Sequence, residues 1–429
     1  MPRYDILSLD LQRDDDGRLV AGIEGAAADD AAPFVHQLVK TLNGLKVIAH
    51  VDGANVYNLY NPPQPTPAGV RSLTRKLKEM LYGHVFPATV NIAVTSACQC
   101  RCAHCSADLF QRQGRLKRAD LSGDEIRSIV DESLDLGANL IIFTGGEPLL
   151  RDDLMDLIRY VDKDRAVVMI FTNGWRLDAD TARALKDAGL FSLNVSIDDA
   201  DPASHDRLRG LPGCHERAWR GLRNALDAGL MAGVSTYATS ENLVSGGLKT
   251  LLEQARDAGA KETTIFDCIP SGKLLWRCDL ILSEEEKKAV LALADGFHGA
   301  ASPMGVIPMA LVNSPAGAGC FGGFSQVYVT CHGDVNPCDF NPVSFGSVRE
   351  IPLQAIWEKM VRHFEFGRRQ MCCRMQSPRY RRQFIEAIPR DIEFPVPIEA
   401  LPGDGSFDHD AYDRAMERLQ RLENEHDGP

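Results

Sequence analysis

Cys98, Cys102 and Cys105 stand in the stretch TSACQCRCAHC (95–105) with C-x3-C-x2-C spacing, and Cys100 lies between the first two. Four of the 12 cysteines in the chain therefore fall within eight positions. Thiolates at this density suit a disulfide pair, a zinc site, a redox dithiol or an iron–sulfur cluster. A cubane held by three thiolates keeps one iron open to a small molecule. Structural zinc more often takes two C-x2-C pairs, or cysteines mixed with histidines. A thioredoxin-like site needs only a C-x-x-C, which Cys102 and Cys105 satisfy. A second set, Cys320, Cys331, Cys338, Cys372 and Cys373, lies in an irregular zone that starts near residue 315.

The elements that must position these thiols are legible around them. Apolar runs at 90–94, 140–143, 167–171, 193–197, 234–237 and 263–266 have the length and composition of buried strands. Helix-length segments separate them, and four of these close alike, with DLGA at 135–138, DAGL at 187–190 and 227–230, and DAGA at 257–260. The glycine in each suits the left-handed residue that ends a helix. Ser122 and Glu125 are spaced as a capping box that opens one such helix. Alternating strands and helices imply parallel pairing through right-handed crossovers, which suggests a partial or complete β/α barrel. The crowded cysteines then follow the first strand at its C-terminal end, the end where such barrels carry chemistry.

Upstream, residues 1–85 mix short alternating runs (4–11 and 46–51) with a helical stretch near 33–42. They close in the breaker-rich NPPQPTPAG (61–69), which reads as a linker. At the other end, residues 409–428 suit a solvated helix with no chemistry of its own.

With 44% hydrophobic and 25% charged residues, the 429-residue chain has material for a large core. Its net charge of −12 argues against non-specific binding to nucleic acid or anionic membrane, local patches such as RYRRQ (379–383) notwithstanding. The N-terminal residues lack the apolar run of a secretory signal, and no stretch has the length of a membrane span. A cytoplasmic location is expected, with cysteines serving as metal ligands or reduced thiols.

The cysteine spacing resembles that of the radical S-adenosylmethionine (SAM) superfamily, and the resemblance extends downstream. FTGGEPLL (143–150) looks like the segment that meets the methionine amine of SAM, and FTNG (171–174) ends the third strand at another family position. NVSIDDADPASHDRLRG (194–210) resembles a stretch of the peptide- and protein-modifying branch. The resemblance implies a partial (β/α)6 barrel over 88–310 with a [4Fe–4S] cluster on Cys98, Cys102 and Cys105. It implies SAM contacts from His104, Gly145, Gly146, Glu147, Thr172, Asn173, Ser196, Asp198 and Arg209. His104 occupies a position that is usually aromatic in the family, and Cys100 is left as the spare thiol.

Cys320 and Cys338, with Gly333 between them, resemble the opening of the SPASM and twitch extensions of that superfamily. The resemblance implies a twitch/SPASM-like auxiliary [4Fe–4S] domain at 315–385, with a small N-terminal α+β region at 1–85 and residues 386–429 as a charged tail. Cys372, Cys373 and Cys331 compete to complete the auxiliary ligand set, and zinc is the alternative occupant. PCDF (337–340) is similar to a stretch of sulfatase-maturating enzymes whose aspartate acts as a base, which makes Asp339 a candidate catalytic residue. Cys268 is a candidate hydrogen donor, as in epimerases of the superfamily. The expected activity is reductive cleavage of SAM and hydrogen abstraction, leading to two-electron oxidation of a biosynthetic metabolite. A ribosomal-peptide maturase, a redox-neutral epimerase or rearrangement enzyme, and a non-catalytic zinc protein are the alternatives. The implied partners are a flavodoxin- or ferredoxin-type electron donor and a small-molecule or peptide substrate.

Overall fold

The computed structural model describes residues 7–111, 118–298, 302–388 and 393–401. Its centre is one nine-stranded sheet. The strands are β1 (Thr89–Thr95), β2 (Leu140–Gly145), β3 (Val167–Thr172), β4 (Ser192–Ser196), β5 (Met231–Tyr237), β6 (Glu262–Phe266), β7 (Gly305–Pro308), β8 (Gln326–Val329) and β9 (Val335–Asn336). Their order is β7-β6-β5-β4-β3-β2-β1-β8-β9, and only the β8–β9 pair is antiparallel. The six apolar runs of the sequence are thus β1 to β6, neighbours in chain order, as the parallel-barrel expectation requires. Parallel strands are covered on both faces, so they read as continuous apolar runs without alternation.

Local signals behave as their chemistry dictates. Gly137, Gly189, Gly229 and Gly259 close their helices at φ of 116°, 84°, 75° and 85°. Ser122 and Glu125 form the reciprocal capping box at 2.7 and 3.2 Å.

Two features depart from the expected three-zone layout. The C-terminal zone extends the barrel sheet, because β8 pairs in parallel with β1 from Gln326↔Thr89 to Val329↔Ile92. One apolar core then runs from the barrel into Phe345, Ile356 and Trp357. The helix Leu353–Arg362 packs on the helix Gly123–Leu136, and the backbone N–H of Leu353 donates to Glu132 at 2.6 Å.

The second departure is NPPQPTPAG. Pro62, Pro63 and Gln64 are buried, and Gln64 exchanges both backbone hydrogen bonds with Asn55 at 2.7 and 2.9 Å. Thr66 then caps the helix Pro67–Tyr82, with Pro67 in its first turn. A proline there loses an N–H that has no helical partner anyway, so a breaker on paper becomes a helix start. Elsewhere in the N-terminal region, Ser8–Arg13 pairs with Leu19–Glu24, Ala49–Val51 pairs with Ala54–Val56, and a helix spans Ala28–Gly44. The tail helix expected at 409–428 lies outside the described residues.

The N-terminal region also plugs the barrel. Ile48, Val56 and Leu59 pack against the inward side chains Leu140, Ile142, Val167 and Met169. The Leu59 carbonyl accepts from Ser192 Oγ at 2.8 Å, and its N–H donates to Glu262 at 3.2 Å. Tyr60 Oη lies 2.8 Å from Thr264 Oγ1 and accepts from Asn194 Nδ2 at 3.0 Å. Glu262 is 1% exposed, and burial pushes its carboxyl up to about 8. A carboxyl raised in the fold contributes stability that is complete below its ordinary value of 4.5 and fades as pH rises through about 8. Glu262→Gln keeps an acceptor for Leu59 and cannot ionise, so its stability should gain on that of the wild type as pH rises across this window. Urea midpoints at several pH values check this, and a constant difference between the two proteins would refute it.

Candidate active site

The cysteine loop leaves β1 at Thr95 and is gripped from two sides. On one side, the backbone N–H of Gly146 donates to Thr95 O and that of Glu147 to Ala97 O, both at 2.8 Å. A Cβ on Gly145 would stand 2.4 Å from Thr95 O, and one on Gly146 would stand 2.2 Å from Ala97 O. Only glycine permits this approach of β2 to the loop. On the other side, the N–H groups of Arg101 and Ala103 donate to Arg209 O and Leu208 O at 2.8 Å. Lys273 Nζ donates to Cys102 O at 2.8 Å, and the N–H of Lys273 donates to Cys105 O at 3.1 Å. Asp120, which the sequence reading had not marked, accepts from Thr95 Oγ1 at 3.0 Å and Ser96 N at 2.9 Å.

One cavity gathers Cys98, Cys102 and Cys105 with His104, Gly145, Gly146 and Glu147. Thr172, Asn173, Ser196, Asp198, Arg209 and Asp339 line the same cavity. Residues more than 200 positions apart thus face one space, at the C-terminal ends of successive strands. Phe171, Tyr237 and Phe266 add aromatic wall, and the sequence reading had missed them. Their only signal is position, since each sits at a strand's C-terminal end.

Glu147 is 1% exposed and accepts from Thr172 Oγ1 and Asn173 N at 2.7 Å, and from Leu149 N at 3.2 Å. Burial pushes its carboxyl up to about 7 against these donors. Asp198 is buried too, which by itself favours the neutral acid. The Arg209 guanidinium at 2.6 Å and His104 Nε2 at 3.3 Å outweigh that cost and hold the carboxyl far below its usual range. The His104 ring lies 4.8 Å from that of Tyr237. Asn173 Oδ1 accepts from Gln99 Nε2 and Trp175 N, which leaves the buried Nδ2 without a partner among the described residues. A buried donor facing a cavity awaits an acceptor.

Cys100, the spare of the spacing, is buried and hydrogen-bonded to Cys102, Cys214 and Cys98, which holds its thiol well above the usual range. Cys102 is correspondingly pulled down to about 5, by the Cys100 hydrogen bond and then by Arg209, whose Nη1 lies 3.8 Å from its sulfur. Three thiols on one short loop, beside a cation and an unpaired amide, fit a thiolate-held cluster with one open iron and a polar small molecule upon it.

In the C-terminal segment, Cys320, Cys338 and Cys373 approach one another. Burial raises the Cys338 thiol first, followed by Asp339, Cys320 and Cys373. Cys373 is 7% exposed, whereas Cys372 is exposed. Arg374, the next residue, is anchored in the same interior. Its buried guanidinium pairs with Glu365 at 3.2 Å, donates to Gly322 O at 3.1 Å and lies over the Phe366 ring. Cys331 faces Asp120 instead and is not part of this trio. Asp339 bridges the two sites, adjacent in chain to Cys338 and in the wall of the first cavity. Burial pushes its carboxyl up to about 6, while Gln326 Nε2 donates to it at 3.1 Å. Cys268, the candidate hydrogen donor, is buried just beyond β6, and burial and then Asp267 push its thiol up to about 11. It is not among the cavity-lining residues.

Comparison with known proteins agrees with this geometry. Residues 92–239 match the Radical SAM superfamily, and residues 320–380 match SPASM, an iron-sulfur cluster-binding domain. An AdoMet-dependent heme synthase of Nitratidesulfovibrio vulgaris is 29% identical over 299 residues, 65% of this chain and 80% of the relative. The PqqA peptide cyclase of Granulibacter bethesdensis is 29% identical over 276 residues, 62% and 72% of the two chains. Streptococcus suis SuiB bound to its precursor peptide SuiA shares the fold at a TM-score of 0.53 and 14% identity, covering 77% of each chain. Among the described residues no helix is long and apolar enough to cross a membrane. With both domain matches in chain order, the non-catalytic zinc alternative falls away. The chain belongs to the radical SAM superfamily, as an enzyme that uses a [4Fe–4S] cluster and SAM and carries a C-terminal SPASM iron–sulfur domain.

Proposed function

We propose that the enzyme carries out a net two-electron oxidation of a biosynthetic metabolite. Cys98, Cys102 and Cys105 would hold the SAM-binding cluster, and Cys320, Cys338 and Cys373 would hold an auxiliary one. The observation that carries this reading is Asp339, which lines the SAM-side cavity while sitting next to an auxiliary-site cysteine. Together, the bound groups supply a 5′-deoxyadenosyl radical that takes a substrate hydrogen atom, and an auxiliary acceptor for one further electron. Asp339 takes the proton that leaves with that electron, so the substrate loses two electrons and two protons in all. A carboxyl raised by burial suits proton acceptance better than a solvated one. In this cavity Glu147 and Asn173 would meet the polar end of SAM, Arg209 its carboxylate, and His104 with Tyr237 its base. The plugged floor beneath Phe171 keeps water from the far side of the cavity.

Similarity to relatives named as heme synthases supports a metabolite, with a tetrapyrrole the first compound to test. A peptide is the second reading, favoured by the PqqA peptide cyclase and by SuiB with its precursor. 5′-Deoxyadenosine release stimulated by porphyrins, but not by precursor peptides encoded nearby, is expected. The reverse pattern would give the peptide reading. A flavodoxin- or ferredoxin-type protein is proposed as the electron donor.

Three outcomes test the assignment. Cys98→Ala, Cys102→Ala and Cys105→Ala should each lose the SAM-sensitive electron-spin signal of the reduced protein, while Cys100→Ala should keep it. Iron analysis should find about eight irons per chain in the reconstituted wild type and about four in Cys320→Ala, Cys338→Ala or Cys373→Ala. Cys372→Ala should match the wild type. Asp339→Asn should slow product formation roughly 10²- to 10⁴-fold while SAM is still cleaved. Equal loss of both activities would remove Asp339 from the proton step.

A further inference from the structure

Outside both cysteine trios, Asp120, Cys331 and His332 place a carboxylate oxygen, a thiol sulfur and an imidazole nitrogen within 4.8 Å of one another. We propose that these three side chains bind a divalent transition-metal ion of the zinc class, at the seam between the barrel and the SPASM domain.

The donors come from two segments already locked together. Asp120 sits between β1 and the helix Gly123–Leu136, and Cys331 and His332 sit in the turn between β8 and β9. The N–H of Leu121 donates to Cys331 O at 2.8 Å, and Arg118 Nη2 donates to His332 O at 3.0 Å. The turn itself is fixed, with the N–H of Gly333 on Thr330 O at 2.9 Å and the N–H of Asp334 on Thr330 Oγ1 at 3.0 Å. The site therefore needs no backbone rearrangement.

The atoms are divided well for a ligand set. Asp120 Oδ2 is occupied by Thr95 Oγ1 and Ser96 N, while Oδ1 lies 3.9 Å from His332 Nδ1. Ligand atoms on a tetrahedral zinc ion stand roughly 3.3–3.6 Å apart, given bonds of about 2.0–2.3 Å. Small side-chain rotations close the difference. His332 Nδ1 also lies 3.3 Å from Ala119 O. The tautomer with its proton on Nε2 frees Nδ1 to ligate.

One thiolate, one imidazole and one carboxylate suit zinc better than calcium or magnesium, which prefer oxygen alone. Nearby cations do not oppose it, because Arg118 is paired with Asp334 and Arg349 with Glu125, each at 2.7 Å. Cys331 is fully buried, whereas the Asp120 and His332 side chains are 30% and 15% exposed. The ion thus has an entry side, where water completes the coordination. Through Asp120 Oδ2 it sits one carboxylate away from the start of the cysteine loop, so it acts as a staple that holds the loop to the SPASM turn.

The test uses the full chain, first reconstituted with iron and sulfide so that both cysteine trios are filled, then titrated anaerobically with Co²⁺. One equivalent should bind with the visible bands of a tetrahedral site and a near-ultraviolet thiolate charge-transfer band, and Zn²⁺ should displace it. Cys331→Ser should abolish the charge-transfer band while the iron content stays at the wild-type level. His332→Gln changes a partly exposed turn residue and should weaken cobalt binding by at least about tenfold. Cys372→Ser should behave as the wild type. No cobalt uptake by the reconstituted protein, or a thiolate band that survives Cys331→Ser, overturns the site. Should Cys331→Ser fail to fold, unchanged cobalt affinity in His332→Gln overturns it alone. None of these readouts depends on SAM cleavage, so the proposed oxidation can fail without affecting them.

Discussion

The constraint on which the site depends is the approach of Gly145 and Gly146 to the carbonyls of Thr95 and Ala97. A strand end and a loop lie so close that any side chain would collide, and two backbone hydrogen bonds replace the missing contact. β1 and β2 are paired from Thr89↔Leu140 to Ala93↔Thr144 and, past a one-residue register shift, at Thr95↔Gly145, so the sheet fixes the loop and the following Glu147 as one body. The cavity geometry follows from this. The three loop thiols face a carboxylate whose position was set by strand pairing, so little conformational freedom is left to lose when a ligand binds.

Charge inside that cavity is arranged as a network. Buried Asp198 and Arg209 form a chain with the half-buried His104, and Arg209 also reaches the Cys102 sulfur. A buried carboxylate survives only where its partners outweigh the loss of water, and the guanidinium does this while remaining a donor to the thiolate side. Glu147 is bonded to neutral donors and feels the Arg209 charge only weakly, so burial moves it the other way. Two acids of one cavity are held on opposite sides of their ordinary ranges by their surroundings.

The C-terminal domain enters this arrangement through the sheet. By adding β8 beside β1, it continues the barrel's own hydrogen-bonding ladder and shares its core. That placement carries Asp339 to the cavity wall and brings Arg118 and Arg349 onto their acidic partners across the seam. An appended domain that docked only by side chains would have no comparable register. The N-terminal region is integrated from below by side-chain hydrogen bonds, where Leu59 and Tyr60 reach Ser192, Glu262, Thr264 and Asn194 inside the barrel.

Local chemistry was written in the sequence. The strand runs, the helix-closing glycines, the Ser122–Glu125 cap and the C-x3-C-x2-C spacing each depend on neighbours within a few residues, and the structure has them where local rules put them. The glycine pair of GGE was visible too, although its reason, a backbone contact 50 residues away, was not. Contacts across long separations decided the rest. Cys373 is buried beside Cys320 and Cys338 while its neighbour Cys372 is exposed, and adjacent identical residues carry no such information. Asp120 looked like one acid among 59 acidic residues until the fold set it between Thr95 and the Cys331–His332 turn. The proline-rich stretch read as a linker because proline lacks an N–H, yet backbone pairing with Asn55 and a cap at Thr66 turned it into a buried turn and a helix start. Spacing encodes what neighbours in the chain can do together, and only packing decides which distant groups share a dielectric, a ladder or a cavity.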